Sequence, residues 1–124
     1  MSLLVYEPPA KVGIQDLEGE LTRAFESTRR AVERGDAVVL SLDEVDVQGV
    51  GELASAALAH GLLGLARALA IEGRKPGWQV AVLSSPIDVD PAERLRWIEQ
   101  LAVPGAASGA LVRLGGGHLG KVTA

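Results

Sequence analysis

The side chains able to do chemistry in this chain are few. His60 and His118 are the only imidazoles in 124 residues, and no carboxylate pair at ligand spacing accompanies either. Cysteine is absent, which removes disulfides, zinc–thiolate sites and thiol nucleophiles together. No metal site is expected; His60 reads as a residue packed at a helix interface, where protonation would tune association, and His118 as solvated. Asp16, Ser41 and Ser55 are the groups a small enzyme could use, but no base is tied to either serine by a motif. Two glycine runs resemble phosphate cradles. Gly115-Gly116-Gly117-His118-Leu119-Gly120 satisfies G-x-G-x-x-G, and Gly115 to Lys121 spells G-x-x-x-x-G-K. Both need a helix directly after them; the sequence given offers none, so a terminal turn is expected. Gly49-Val50-Gly51-Glu52-Leu53-Ala54 does open a helix, but it follows its strand by six residues and has no acidic strand end about 20 residues on. Helix packing is the expected reason for those glycines. Asp43, Glu44 and Asp46 read as an acidic loop facing water, and Arg23, Arg29, Arg30 and Arg34 as a solvated helix face with Glu26–Arg30 in the favourable i,i+4 pairing.

The elements that must position these groups alternate. Ser2 to Tyr6 reads as a strand closed by Pro8-Pro9. A helix follows from Asp16 to Arg34, with Leu17, Leu21, Ala24, Phe25, Thr28, Ala31 and Val32 as its apolar stripe, Asp16 as N-cap and Gly35 as its left-handed stop. Ala37 to Leu42 is a strand covered on both faces. A long helix is expected over Gly49–Glu72, ended by Gly73 and Pro76, then a strand over Trp78–Ser84. Asp90-Pro91 starts a third helix carrying Leu95, Ile98 and Leu101 inward, and Ala110 to Leu114 is the last strand. The order β-α-β-α-β-α-β predicts an α/β, Rossmann-like parallel sheet of about four strands, with right-handed connections and helices on both faces.

Residues 1–124 are expected to form one domain, since the length and an apolar share of 48% suit a single core. A net charge of −4 makes nucleic acid and anionic membranes poor partners. The start MSLLVYEPP has neither the basic nor the long apolar stretch of a signal peptide, so a cytoplasmic protein is expected. The second helix is apolar or small nearly all the way round, with Glu52, His60, Arg67 and Glu72 as its polar landmarks. A helix lying on one sheet face ordinarily keeps a polar outer stripe. Its outer face is therefore expected to be covered by another chain, with the first helix of the same chain as the alternative cover.

Three stretches resemble the short-chain dehydrogenase/reductase family, especially its β-ketoacyl reductase type. HGLLGLARALAIE (His60–Glu72) is similar to the segment after that family's Tyr-x-x-x-Lys motif, WQVAVLSSP (Trp78–Pro86) to its sixth strand and Pro-Gly loop, and SGALVRLGGGH (Ser108–His118) to its last strand. Asp16-Leu17-Glu18-Gly19 stands where the family has Asn-Leu-x-Gly. The match covers roughly the last hundred residues and corresponds to the second half of that fold, without the glycine-rich cofactor turn. It places Ser55 where the family has Tyr and Ala59 where it has Lys, with the family's Ser near Ser41-Leu42 and its Asn at Asp16. The only tyrosine is Tyr6, and Lys11, Lys75 and Lys121 all lie off the second helix. Carbonyl reduction needs a phenol to donate a proton and an ammonium to lower its pKa. The resemblance thus implies no catalytic residue and no cofactor.

It further implies a homodimer or homotetramer through helices 16–34 and 49–72, with Leu21, Phe25, Leu53, Leu58, Leu62, Leu65 and Leu69 at the interface. A complete reductase is the alternative partner. The first strand would then be an exposed edge, unless another chain pairs with it. A competing resemblance is to anti-sigma-antagonist (STAS) modules, on VVLSLDEVDVQGVGEL (Val38–Leu53), with Gln48 near the phosphorylatable Ser position. That family would place the N-terminal strand centrally in a mixed sheet.

Overall fold

The computed structural model describes residues 2–115. Four strands form one sheet: β1 (Leu3–Tyr6), β2 (Ala37–Asp43), β3 (Val80–Ser85) and β4 (Leu111–Arg113). They lie in the order of the chain, every pair parallel, so the α/β expectation holds. Between them run α1 (Leu17–Glu33), α2 (Glu44–Gln48), α3 (Leu53–Glu72) and α4 (Pro91–Leu101). β3 and all of β2 except Asp43 are buried, as their largely β-branched and aliphatic runs require of central strands.

Alternation along the strands sorts the core into two layers. Val38, Leu40, Leu42, Val80 and Val82 face α1 and α3, whereas Val39, Ala81 and Leu83 face Ile98 and Leu101 of α4. Helices do cover both faces, but a sheet whose order advances one way cannot achieve that with connections of a single hand. With the first two crossovers of the usual right hand, the connection through α4 is left-handed. The expectation of uniformly right-handed connections is corrected here.

A buried glutamine secures that unusual return. The Gln79 side-chain amide donates to the carbonyls of Leu101 and Ala106, while its Oε1 accepts from the Gly105 N–H at 3.0 Å. The start of β3 is thereby tied to the end of α4 and the turn leading into β4. Asp90 caps α4 by accepting from the Ala92 N–H at 3.1 Å, with Pro91 in the first turn. Leu95, expected inward, is 55% exposed; Ile98 and Leu101 fill the core from α4, with half-buried Trp97 packed against it.

Two boundaries differ from the sequence reading. Asp43 accepts from the Val45 N–H at 3.1 Å and starts α2, a short helix where a loop was expected. Gly49 ends α2 at φ +74°, and Gly51 lies where a Cβ would meet Val45 Cγ1 at 2.7 Å. These glycines therefore serve the α2 stop and a tight corner, and the long helix begins at Leu53, not Gly49. A short 3-10 turn over Ile14–Asp16 precedes α1, and the Asp16 side chain makes no capping bond. Gly35 follows α1 at φ +87°, as its stop signal implied. α3 is 20 residues long and apolar enough to cross a membrane by length and composition; its contact with the sheet through Leu58, Leu62, Ala66 and Leu69 accounts for the apolarity of its inner face only.

Candidate functional site

Two surfaces concentrate the residues of interest. The first is a cleft of about 420 Å³ at the carboxyl ends of β1, β2 and β3, the usual ligand position in open α/β sheets. Its walls include Glu7, Ser41, Asp43, Asp46, Ser85 and Arg94. Arg94, reaching over from α4, donates to Ser41 Oγ at 2.7 Å and to the Glu7 carboxylate. A guanidinium beside a hydroxyl withdraws no proton, so this contact fixes Ser41 without activating it. Asp46 is raised above the usual carboxylate range, first by burial and then by the neighbouring charges of Asp43 and Glu52.

Just beside this cleft, Glu44 is buried, which overturns the reading of a water-facing acidic loop. Its carboxylate accepts from Ser84 Oγ, from the Arg113 guanidinium and from Gln48 Nε2 at 3.3 Å. Burial alone would raise the Glu44 pKa, but the bonds from Arg113 and Ser84 outweigh it and hold the carboxyl below its ordinary value. The network joins α2, β3 and β4. Nothing in the local sequence announces it, because Glu44 and Arg113 stand 69 positions apart.

The residues occupying the reductase positions are not gathered into one constellation. Ser41 points to the α4 face, whereas Ser55 and Ala59 lie buried on α3 across the sheet. Asp16 is exposed at the start of α1. His60, expected at a helix interface, is exposed on α3; its Nε2–H donates to the Val47 carbonyl at 2.9 Å and ties α3 to α2. His118, Lys121 and Gly116 to Gly120 lie outside the described residues, so the terminal glycine motifs do too. Glu26–Arg30 makes no ion pair among the described residues; Arg23 pairs with Glu20, and Arg29 bridges to Glu33 and Glu72.

The second surface is the outer face of α1 and α3. Leu53, Ala57, His60, Gly64, Arg67, Ala68 and Ile71 form one exposed row along α3, as their spacing on a 3.6-residue turn dictates. Leu53 is 76% and Ile71 63% exposed, and Phe25 on α1 is 47% exposed. The first helix packs beside α3, with Leu21 against Gly61, and does not cover this row. Of the seven residues expected at an interface, Phe25 and Leu53 are therefore open, and Leu21 and Leu65 are half-buried. Leu58, Leu62 and Leu69 face the sheet and are consumed by the chain's own core.

Compared with known proteins, the chain matches no protein-family model and no curated protein.

Proposed function

We propose that this chain is a catalytically silent relative of the second half of the short-chain reductases, and that it acts by assembling through the outer face of α1 and α3. The observation that carries the reading is the exposed row headed by Leu53 and Ile71, with Phe25 alongside. Along this row only His60 and Arg67 are polar, and extended apolar surface marks an interaction site. The small side chains in the row, Ala57, Gly64 and Ala68, let a second helix approach closely. A second copy of the chain is the favoured occupant, since a two-fold axis beside α3 would set this row against itself. The sequential, all-parallel order supports the same family, because a STAS-like module requires its first strand centrally in a mixed sheet, and β1 is an edge. Ser55 and Ala59 in place of the phenol and ammonium support the silent part of the reading.

Light scattering at micromolar concentration tests it. The expected mass is that of two or four chains, falling to one chain in Phe25→Asp/Leu53→Asp with the circular dichroism spectrum unchanged. A single-chain mass for the unaltered protein overturns the assembly. Oxidation of NAD(P)H with an acetoacetyl thioester by the purified protein overturns the silent assignment.

A further inference from the structure

At the opposite end of the sheet from the cleft, a hollow of about 490 Å³ opens between the last turn of α3 and the turn leading into β4. That volume is in the range of small-molecule sites. Its apolar wall is the Trp78 ring with Ala70 and Ile71, and its floor is backbone, at Gly73, Gly77, Gly105 and Gly109. The floor cannot be refilled by side chains. A Cβ at Gly73 would meet the Trp78 side chain at 2.5–2.7 Å, and one at Gly109 would meet Ala70 Cβ at 2.9 Å. Gly77, Gly105 and Gly109 all sit at φ between +81° and +85°, where other residues are strained.

Charge gives the hollow its selectivity. Arg67 and Arg74 line it and no carboxylate does. Neither has an acidic partner among the described residues, unlike Arg23, Arg29, Arg34, Arg94 and Arg113. The chain as a whole is acidic, so this is a local reversal of sign. The backbone has little to offer an anion, since the N–H groups of Gly77, Trp78, Gly105 and Gly109 are already bonded within the chain. Recognition of a negative group therefore falls to the two guanidinium forks, which suit carboxylate and phosphate oxygens. The Trp78 ring carries Arg29 at 5.5 Å, and its indole N–H has no acceptor among the described residues.

We infer that this hollow binds a small organic anion bearing a planar ring, the carboxylate or phosphate held by Arg67 and Arg74 and the ring laid against Trp78. The inference does not rest on the reductase resemblance; the hollow shares Arg67 and Ile71 with the C-terminal end of the row proposed to assemble. Trp78 reports on it directly. Trp97→Phe leaves Trp78 as the sole tryptophan, and titration with phenyl phosphate and with benzoate is expected to change its fluorescence saturably, more weakly as salt is raised. Arg67→Gln and Arg74→Gln should each weaken binding about tenfold, the loss of one charge-assisted contact, while Arg96→Gln on α4 leaves it unchanged. Absence of saturation at millimolar probe, binding by either arginine variant as tight as with both arginines present, or equal affinity for inorganic phosphate each overturns the inference. Should Trp97→Phe fail to fold, amide shifts in the unaltered chain decide: perturbation confined to 67–79 and 105–109 supports it, and perturbation elsewhere overturns it.

Discussion

Glu44 shows how one side chain can hold three elements. Its lowered pKa means the folded state binds a proton less readily than the unfolded chain does. The stabilisation is present above the ordinary carboxylate range and is lost as pH falls through the lowered value. Urea midpoints measured downward from neutral pH should therefore fall in acid, and Glu44→Gln should flatten that limb. At neutral pH the same substitution strands the Arg113 guanidinium and is expected to destabilise by about 3 kcal/mol. Tyr6 gives the opposite limb. Its hydroxyl donates to Glu20 at 3.0 Å, and burial followed by that carboxylate raises it to about 12. Stability is complete below the free value of 10.0 and declines as pH climbs toward the folded value; Tyr6→Phe should abolish the alkaline decline. Gln79→Leu leaves the Gly105 N–H and the Leu101 carbonyl without partners, so a loss of about 2 kcal/mol in chemical denaturation is expected. None of these three contacts could be read from local pattern. Each depends on residues brought together by the sheet, whereas the caps at Asp90 and the stop at Gly35 were legible because capping is local.

Among the elements, α3 separates what periodicity can reveal from what it cannot. Its all-round apolarity signalled an unusual helix, and the helix is present. The direction of each leucine is not recoverable without knowing where the sheet lies, so the pattern alone places Leu58, Leu62 and Leu69 at the interface, whereas they face inward. The left-handed return through α4 was equally invisible, since handedness is a property of two faces and not of a segment. Gly64 offers a test of the helix itself. A Cβ there meets nothing within 4 Å of its own chain, so in the single-chain Phe25→Asp/Leu53→Asp background Gly64→Ala should raise thermal stability by about 0.5–1 kcal/mol from helix propensity. Gly73→Ala should lower it by about 1–3 kcal/mol, because the added methyl meets the Trp78 side chain. Thermal melts of the two variants, compared at one protein concentration, check both.

For the whole molecule, the fold class was legible and the function less so. Alternating strand and helix signals suffice for a parallel sheet, but a surface becomes visible only when the inward residues are subtracted from it. If the α1–α3 face assembles as proposed, the melting temperature should rise with protein concentration in the unaltered chain and stay constant in Phe25→Asp/Leu53→Asp. The free side of β1 supplies a second measurement. Hydrogen exchange over residues 3 to 6 should be slow in the assembled protein if another chain pairs there, and rapid if the edge stays bare.

The one-way order of the strands has a consequence for that edge. β1 and β4 are different borders of the same ribbon, both running in one direction. Joining the β4 border of one copy to the β1 border of the next would repeat without end and build a filament. Two β1 borders brought together about a dyad would run antiparallel and close after a single contact. The brevity of β1 and the prolines at positions 8 and 9, which cannot donate to a ladder, keep the endless route short of the contacts it needs.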